Sequence, residues 1–257
     1  MEPGGRGEVK PLRGAESYRS ARERMVRVEV EERGIHDDRV LRALLDVPRH
    51  LFADEALAAQ TYRGNALPIG WGQTLSQPWI VARMTEALEL GGGERILEVG
   101  TGSGYQAAVL SRLGCRVFSV ERVPELARRA RRLLDRIGVE RVSIRSGDGA
   151  AGWRDFAPFD RILLTAGTRE IPEPVREQLA DPGVLVAPLG TERQTLTVLR
   201  RERGRDRIET LEDCRFVPLL PRRSENVGGA DGRDRKAQVD GPGRDETWKD
   251  GTDRTVL

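Results

Sequence analysis

Residues that build metal centres and disulfide frameworks are scarce in this sequence. Its 257 residues include two cysteines, Cys115 and Cys214, and two histidines, His36 and His50. So few histidines exclude a histidine-rich metal site, and the cysteines have neither metal-ligand nor disulfide spacing. We therefore expect no metal ion. Cys115 lies in an apolar, strand-like run and is predicted to be a buried free thiol.

Long apolar runs and a strong charge of one sign are also missing. No run of 18 apolar residues occurs, and the polar, Gly-rich N-terminus does not resemble a signal peptide. The net charge is only +2 although 33% of the residues are charged, so bulk attraction to nucleic acid or membrane is not expected. A basic cluster at Arg128, Arg129, Arg131 and Arg132 lacks interleaved aromatics, which favours a solvated helix face over a nucleic-acid patch. We expect a cytoplasmic protein.

From residue 95 onward, short apolar runs alternate with helical segments. This alternation is typical of βαβ units and predicts a Rossmann-like, doubly wound, mostly parallel seven-stranded α/β sheet. The strands are expected at 95–99, 116–121, 142–146, 160–166, 183–189, 194–201 and 208–217, and the helices at 104–113, 124–137 and 172–180. The short connection from Glu202 to Arg207 predicts a C-terminal antiparallel hairpin.

The remaining segments suggest a division into four parts. Residues 1–17 are expected to be flexible, and residues 18–94 to form an N-terminal helical extension with helices at 18–33, 38–46 and 78–90. Between the last two of these helices, residues 61–77 show neither the helical nor the strand period of apolar residues. They are predicted to form a long ordered loop, of the kind that is often functional. Residues 95–221 form the expected cofactor-binding domain. Residues 222–257 are too polar to bury a core and are expected to be disordered.

A glycine-rich turn follows the first predicted strand of this domain. Gly100, Gly102 and Gly104 give the spacing G-x-G-x-G, whereas the dinucleotide fingerprint requires its third glycine where Tyr105 stands. Glu98 would repel a pyrophosphate but suits a ligand with an ammonium or sulfonium, and S-adenosyl-L-methionine (AdoMet) carries both. An ordinary turn without a ligand is the alternative, although one glycine would suffice for it.

Acidic residues end the next two predicted strands. Glu121 is well placed to accept hydrogen bonds from ribose hydroxyls, although a solvated charge is the alternative, and Arg122 beside it is expected to face solvent. Asp148, between Gly147 and Gly149, could accept from an adenine amino group or simply form a turn. Since parallel strands end at one edge of a sheet, these groups are expected to share one crevice.

The segment LPIGWGQTLSQP at 67–78 is a second candidate site. Its small polar residues include Gln73, Thr74 and Ser76. Composition alone favours Ser76 as the N-cap of the following helix, with Pro78 in the first turn. A nucleophilic serine mechanism is poorly supported, because no G-x-S-x-G elbow with a histidine is present.

Eight motifs together resemble the protein-L-isoaspartate (D-aspartate) O-methyltransferase family of class I AdoMet methyltransferases over about residues 18–220. The glycine motif is generic to class I, but GQTLSQP is much more specific and shifts Ser76 toward a functional role. The motifs are VPRHLF at 47–52, ALPIG at 66–70, GQTLSQP at 72–78, LEVGTGSGYQ at 97–106, VER at 120–122, GDG at 147–149, PFD at 158–160 and FVPL at 216–219.

The resemblance implies a role for each site residue. Ser76 would be catalytic, and Leu220 stands where many relatives carry a threonine that touches the site. The expected cofactor-binding residues are Gln73, Thr74, Leu75 and Ser76 near the methyl donor, Glu98, Gly100, Thr101, Gly102, Ser103 and Gly104 around the methionine part, Glu121 and Arg122 at the ribose, and Asp148 and Gly149 at the adenine.

The implied reaction repairs damaged proteins. It moves a methyl group from AdoMet to the free α-carboxylate of L-isoaspartyl, and also D-aspartyl, residues, and it yields S-adenosyl-L-homocysteine. Because that carboxylate is already ionised at neutral pH, positioning and desolvation suffice, with Ser76 orienting the acceptor. The expected partners are isoaspartyl proteins and peptides, with no nucleic acid or membrane, and the expected state is a monomer. The alternatives are another methyl acceptor such as a small molecule or RNA, a nicotinamide-dependent dehydrogenase, and a non-catalytic nucleoside- or nucleic-acid-binding module.

Overall fold

The computed structural model of the protein describes residues 12–14 and 16–220. The predicted tail at 222–257 lies outside the described residues, as do residues 1–11 and 15 of the predicted N-terminal segment. Every helix among the described residues is too short or too polar to reach across a membrane.

The N-terminal extension is helical, as predicted, but its first helix changes type along its length. Helix α1 (Arg19–Arg24) continues as a π-helical stretch (Met25–Val30) and a 3-10 turn (Glu31–Arg33), and ends at Gly34 with φ of 95°. Helix α2 (Asp38–Asp46) is N-capped by Asp37, whose carboxylate accepts two backbone hydrogen bonds. Two 3-10 segments follow, at Arg49–Phe52 and Glu55–Tyr62.

The segment predicted as a loop without strands contains a small hairpin, so that part of the prediction was wrong. Strands β1 (Leu67–Gly70) and β2 (Gln73–Leu75) pair antiparallel. Their connection, Trp71-Gly72, has positive φ at both residues, as a type I′ hairpin turn requires. Strands of four and three residues are too short to show a period of two. Helix α3 (Pro78–Ala87) follows directly.

The seven-stranded sheet confirms the predicted fold class. Its order is β5-β4-β3-β6-β7-β8-β9, with parallel pairing from β5 to β7 and antiparallel pairing for β8 and β9. The strands are β3 (Arg95–Val99), β4 (Arg116–Glu121), β5 (Val142–Ser146), β6 (Phe159–Leu164), β7 (Leu179–Gly190), β8 (Gln194–Glu202) and β9 (Arg205–Cys214). The helices between them are α4 (Tyr105–Arg112), α5 (Pro124–Ile137) and α6 (Glu173–Arg176).

Several element ends differ from the prediction, and two of these differences lie in the C-terminal half of the sheet domain. The helix predicted at 172–180 stops at Arg176, because Leu179 already pairs with Phe159 as the start of β7. The strand predicted to reach residue 217 ends at Cys214, and the chain beyond it pairs elsewhere, with Gly167 bridging Pro218. This second departure brings the C-terminal part of the described chain over the strand ends.

Apolar side chains cover both faces of the sheet. Along β3, Ile96 belongs to one cluster, whereas Leu97 and Val99 belong to the other, so the strand alternates between two cores. The larger cluster joins Leu44 of α2 to Leu110 of α4. The N-terminal extension therefore shares a core with the sheet domain.

Candidate active site

A cavity of about 300 Å³ opens at the carboxyl ends of β3 and β4. This volume is at the lower end of the range for small-molecule sites. Three stretches supply most of its lining: the glycine turn 100–103, the segment 73–77 with the start of α3, and the segment 213–220 after β9. Two segments that the sequence offered as separate candidates therefore meet in one place.

The three glycines of the turn, Gly100, Gly102 and Gly104, have different structural roles. Gly100 has φ of 102°, and its N–H donates to the Val120 carbonyl at 2.9 Å, which ties the turn to β4. Gly104 has φ of 89°, and a Cβ there would lie 3.2 Å from the Cβ of Ala130 on α5. Gly100 and Gly102 line the cavity together with Thr101 and Ser103, whereas the bare Cα of Gly104 serves close helix packing instead.

The Glu121 carboxylate is fixed beside this turn. It is buried, and its two oxygens accept the N–H groups of Gly102 at 2.8 Å and Val123 at 2.9 Å. Each oxygen retains a further lone pair. Glu121 and Arg122 both line the cavity, so an acceptor suited to ribose hydroxyls stands where the sequence predicted it.

Glu98 lies behind the cavity wall, outside its lining residues. It is fully buried, its Oε2 accepts from the Ser119 hydroxyl, and that hydroxyl also shares a hydrogen bond with Thr101. Its Oε1 has no hydrogen-bond partner among the described residues. Burial raises the pKa of Glu98 to about 8, against the opposing hydrogen bond from Ser119, and the nearby negative charge of Glu121 adds to the rise. In the ligand-free protein this carboxyl is mainly neutral at pH 7, unlike the carboxylate that the sequence suggested.

Asp148 and Gly149 are placed differently from each other. Gly149 lines the cavity, but Asp148 is not among its lining residues. The Asp148 Oδ1 accepts the Ala150 N–H at 2.9 Å and so caps the short 3-10 turn that follows. The turn-forming role that the sequence left open is therefore present here.

The segment 73–77 forms the opposite wall. Gln73, Thr74 and Leu75 belong to β2, and Ser76 lies half-buried between β2 and α3. The N-cap of α3 is Gln77, so the interpretation of Ser76 as the N-cap was wrong. The Ser76 carbonyl accepts a hydrogen bond from the Nη2 of Arg49.

Sequence reasoning reached the C-terminal contribution to the site only through the resemblance, and it missed the contribution of Arg33. Val217 and Leu219 exchange backbone hydrogen bonds with Gly167 at 2.8 and 2.7 Å, which brings Leu220 to the cavity wall. At another part of the wall the Arg33 guanidinium lies 4.9 Å from the ring centroid of Trp79. The FVPL motif indicated the first contribution, whereas the pairing of Arg33 with Trp79 of α3 has no local signal.

Comparison with known proteins gives one family. Residues 20–224 match the family model described as protein-L-isoaspartate(D-aspartate) O-methyltransferase. Protein-L-isoaspartate O-methyltransferase 1 of Syntrophobacter fumaroxidans is 52% identical over 206 residues, which make up 79% of this chain and 96% of the relative.

Solved structures agree with this match. The solved structure of a protein-L-isoaspartate O-methyltransferase superposes with a TM-score of 0.72 at 30% identity. The match covers 78% of this chain and 66% of the chain in that structure. A Plasmodium falciparum protein described as a protein-L-isoaspartate O-methyltransferase, in complex with S-adenosyl-L-homocysteine, shares the fold with a TM-score of 0.67 at 24% identity, over 77% of this chain and 98% of that one. Since the family model spans most of the chain, the predicted resemblance is confirmed, and the chain belongs to the protein-L-isoaspartate(D-aspartate) O-methyltransferase family.

Proposed function

We propose that the cavity holds AdoMet and an isoaspartyl peptide together, so that the donor's methyl group passes to the free α-carboxylate of the L-isoaspartyl residue. Protein repair with AdoMet as methyl donor is the activity of the family to which the chain belongs. The observation that carries the residue assignment is the shared cavity of the glycine turn and the 73–77 segment. D-aspartyl residues are a second class of acceptor in this proposal.

The residues of the first wall fit AdoMet. Glu121 offers lone pairs to the ribose hydroxyls, and the 100–103 backbone would follow the methionine part. Gly149 and Val99 line the cavity where the base would lie, and Gly149 packs so closely on Val99 that a Cβ there would lie 2.5 Å from the Val99 Cγ1. The unpartnered Oε1 of Glu98, one layer behind the turn, suits the positive charge of the bound donor.

The residues of the second wall orient the acceptor. When bound, AdoMet supplies an electrophilic sulfonium methyl that an ionised carboxylate can attack without a general base. The Ser76 hydroxyl would donate to that carboxylate and fix its angle of approach. Leu75 and the segment 216–220 would exclude water from the reacting atoms.

Methyl transfer from labelled AdoMet tests the proposal directly. An isoaspartyl peptide should be labelled, and its twin with a normal aspartate should not. Equal labelling of both peptides, or of neither, contradicts the proposed acceptor.

The role of Ser76 is tested in the same assay. Ser76→Ala should lower turnover by about 100-fold, because a poorly aligned acceptor reacts slowly, while AdoMet affinity stays within about twofold. Ser111→Ala is the matched control, since Ser111 lies on α4 and donates to the Glu140 carbonyl at 2.6 Å, away from the cavity. A loss of AdoMet affinity that accounts for the whole effect of Ser76→Ala would reject the assigned role.

We also propose that the enzyme works as a monomer in the cytoplasm, without nucleic-acid or membrane partners. Both cysteines are unpaired, as is usual in a reducing compartment. In the basic cluster of α5, Arg128 pairs with Glu125 at 2.9 Å, and Arg131 donates to the Ile144 carbonyl. Sedimentation at micromolar concentration tests the monomer, and a dimer would contradict it.

A further inference from the structure

One fully buried arginine connects the two walls of the site. The Arg49 guanidinium donates through Nε to the Thr61 carbonyl at 2.7 Å and through Nη2 to the Ser76 carbonyl. Its Cζ lies 4.7 Å from the ring centroid of Tyr105. Arg49 has no solvent exposure, and no ion pair in the described part of the chain includes it. A buried charge without a carboxylate is costly, so its retention calls for a reason.

The three contacts of Arg49 come from distant parts of the sequence. Thr61 lies in the Glu55–Tyr62 segment that precedes the β1–β2 hairpin, and Ser76 follows that hairpin, so one side chain contacts the chain on both sides of the hairpin. Tyr105 is the first residue of α4, directly after the glycine turn, and its ring packs at 5.3 Å against Phe52. The guanidinium therefore connects the segment 73–77, which is proposed to face the methyl acceptor (the acceptor segment), to the chain that directly follows the glycine turn 100–103, which is proposed to face the methyl donor (the donor wall).

The planar guanidinium is suited to this geometry. It directs separate N–H groups at two carbonyls while its face stacks on an aromatic ring, which a lysine ammonium cannot reproduce. Burial lowers the pKa of Arg49 from its usual value, yet a guanidinium keeps its proton in proteins. The contact with Ser76 is thus available at every working pH.

We propose that Arg49 is a positioning residue that holds Ser76 in register with the methyl donor. This inference rests on the proposed role of Ser76, because Arg49 itself lies outside the cavity lining. Without the Arg49 contact the 73–77 backbone can shift, whereas the Glu121 and glycine contacts of the donor wall remain. The expected signature is a lower kcat with nearly unchanged AdoMet affinity.

Two variants at Arg49 and one matched control test the proposal. Arg49→Lys keeps the charge but loses the two-carbonyl geometry, and Arg49→Met removes both charge and donors. Arg22→Lys is the control, since Arg22 is also buried, 4% exposed, and donates to the carbonyls of Leu45 and Ser17 and to the Tyr62 hydroxyl.

Single-turnover and steady-state rates are measured with the isoaspartyl peptide, and AdoMet affinity by calorimetry. Both Arg49 variants should lose at least about tenfold in kcat, since displacements of about 1 Å have effects of this size or larger. Their AdoMet affinity should stay within about threefold, because the contact of Glu121 with Gly102 involves neither arginine. Arg22→Lys should keep its kcat within about twofold, because Arg22 does not donate to the Ser76 carbonyl. Arg49→Met buries no ammonium, so it remains measurable if Arg49→Lys does not fold.

Three results would overturn the proposal. They are an unchanged kcat in the Arg49 variants, an AdoMet affinity that falls in step with the rate, and an equal loss of kcat in Arg22→Lys. The wild-type preference for the isoaspartyl peptide over its normal twin is recorded in the same assay. If the wild type lacks that preference, the proposed function is refuted. If the wild type has the preference but the Arg49 variants keep the wild-type kcat, only the role of Arg49 is refuted.

Discussion

Replacing Glu98 by glutamine should stabilise the ligand-free protein, and more so at high pH. The pKa of Glu98 is about 8 in the fold against 4.5 for an unperturbed carboxyl. The folded state therefore binds more protons than the unfolded state between these values, and the contribution of Glu98 to stability falls as pH rises through that window. At about 1.4 kcal/mol per pH unit, the titration of Glu98 lowers the free energy of unfolding by about 1 kcal/mol at pH 5 and by about 4 kcal/mol at pH 8.

Glu98→Gln removes this titration and keeps the shape of the side chain. Its amide oxygen can still accept from the Ser119 hydroxyl. The gain in the free energy of unfolding over wild type should be about 3 kcal/mol larger at pH 8 than at pH 5. Urea unfolding at pH 5, 6, 7 and 8 measures this gain. Parallel pH profiles for the two proteins would refute the reasoning.

A ligand measurement sharpens the test. AdoMet brings positive charge toward Glu98, which favours the ionised carboxyl, so binding near pH 7 should release a proton from wild type. Calorimetry in buffers of different ionisation enthalpy detects this proton, and its persistence in Glu98→Gln would assign it to another group.

Two further changes separate binding from packing in the donor wall. Glu121→Gln should weaken AdoMet binding by about 10- to 100-fold, because hydrogen bonds to a charged group contribute about 1.5–3 kcal/mol; calorimetric affinity within twofold of wild type would contradict the ribose assignment. Gly104→Ala should lower the free energy of unfolding by about 1–2 kcal/mol, because φ of 89° is unfavourable for alanine and the new methyl meets Ala130 at 3.2 Å. AdoMet affinity should change little in Gly104→Ala, and a loss of affinity without a shift in the urea midpoint would reverse the assignment.

Much of the fold follows from local pattern. The predicted bounds of five elements are correct to the residue: β3, β4, β5, α2 and α5. Strong turn or capping signals mark where such elements begin or end, such as Asp37 before α2 and Gly138 after α5. Site residues at strand ends are also predictable, since parallel strands finish at one edge. Glu121 and Gly100 are placed in this way.

The rest depends on contacts that no local pattern encodes. The direction in which Glu98 points depends on burial against Ser119, and whether Asp148 faces a ligand or its own backbone depends on the following turn. Pairing of the 217–219 segment with Gly167 replaces a strand that the apolar pattern extended too far. Arg49 is the extreme case, because its partners lie 12, 27 and 56 residues away along the chain.

Buried ionisable groups of opposite sign lie near the two reactants, and Glu98, neutral in the ligand-free protein, ionises as the cationic donor binds. Glu98 and Glu121 flank the turn proposed for a cationic donor, and Arg49 backs the segment proposed for an anionic acceptor. Methyl transfer from a sulfonium to a carboxylate cancels both charges, so direct ion pairs with either reactant would stabilise the ground state more than the transition state and slow the reaction. Glu98 and Arg49 both lie outside the cavity lining, and Glu121 faces the proposed ribose rather than the reacting atoms. Such an arrangement selects reactants by charge while leaving the rate to alignment and exclusion of water, which is why fixing the Ser76 backbone should matter more for kcat than adding a base.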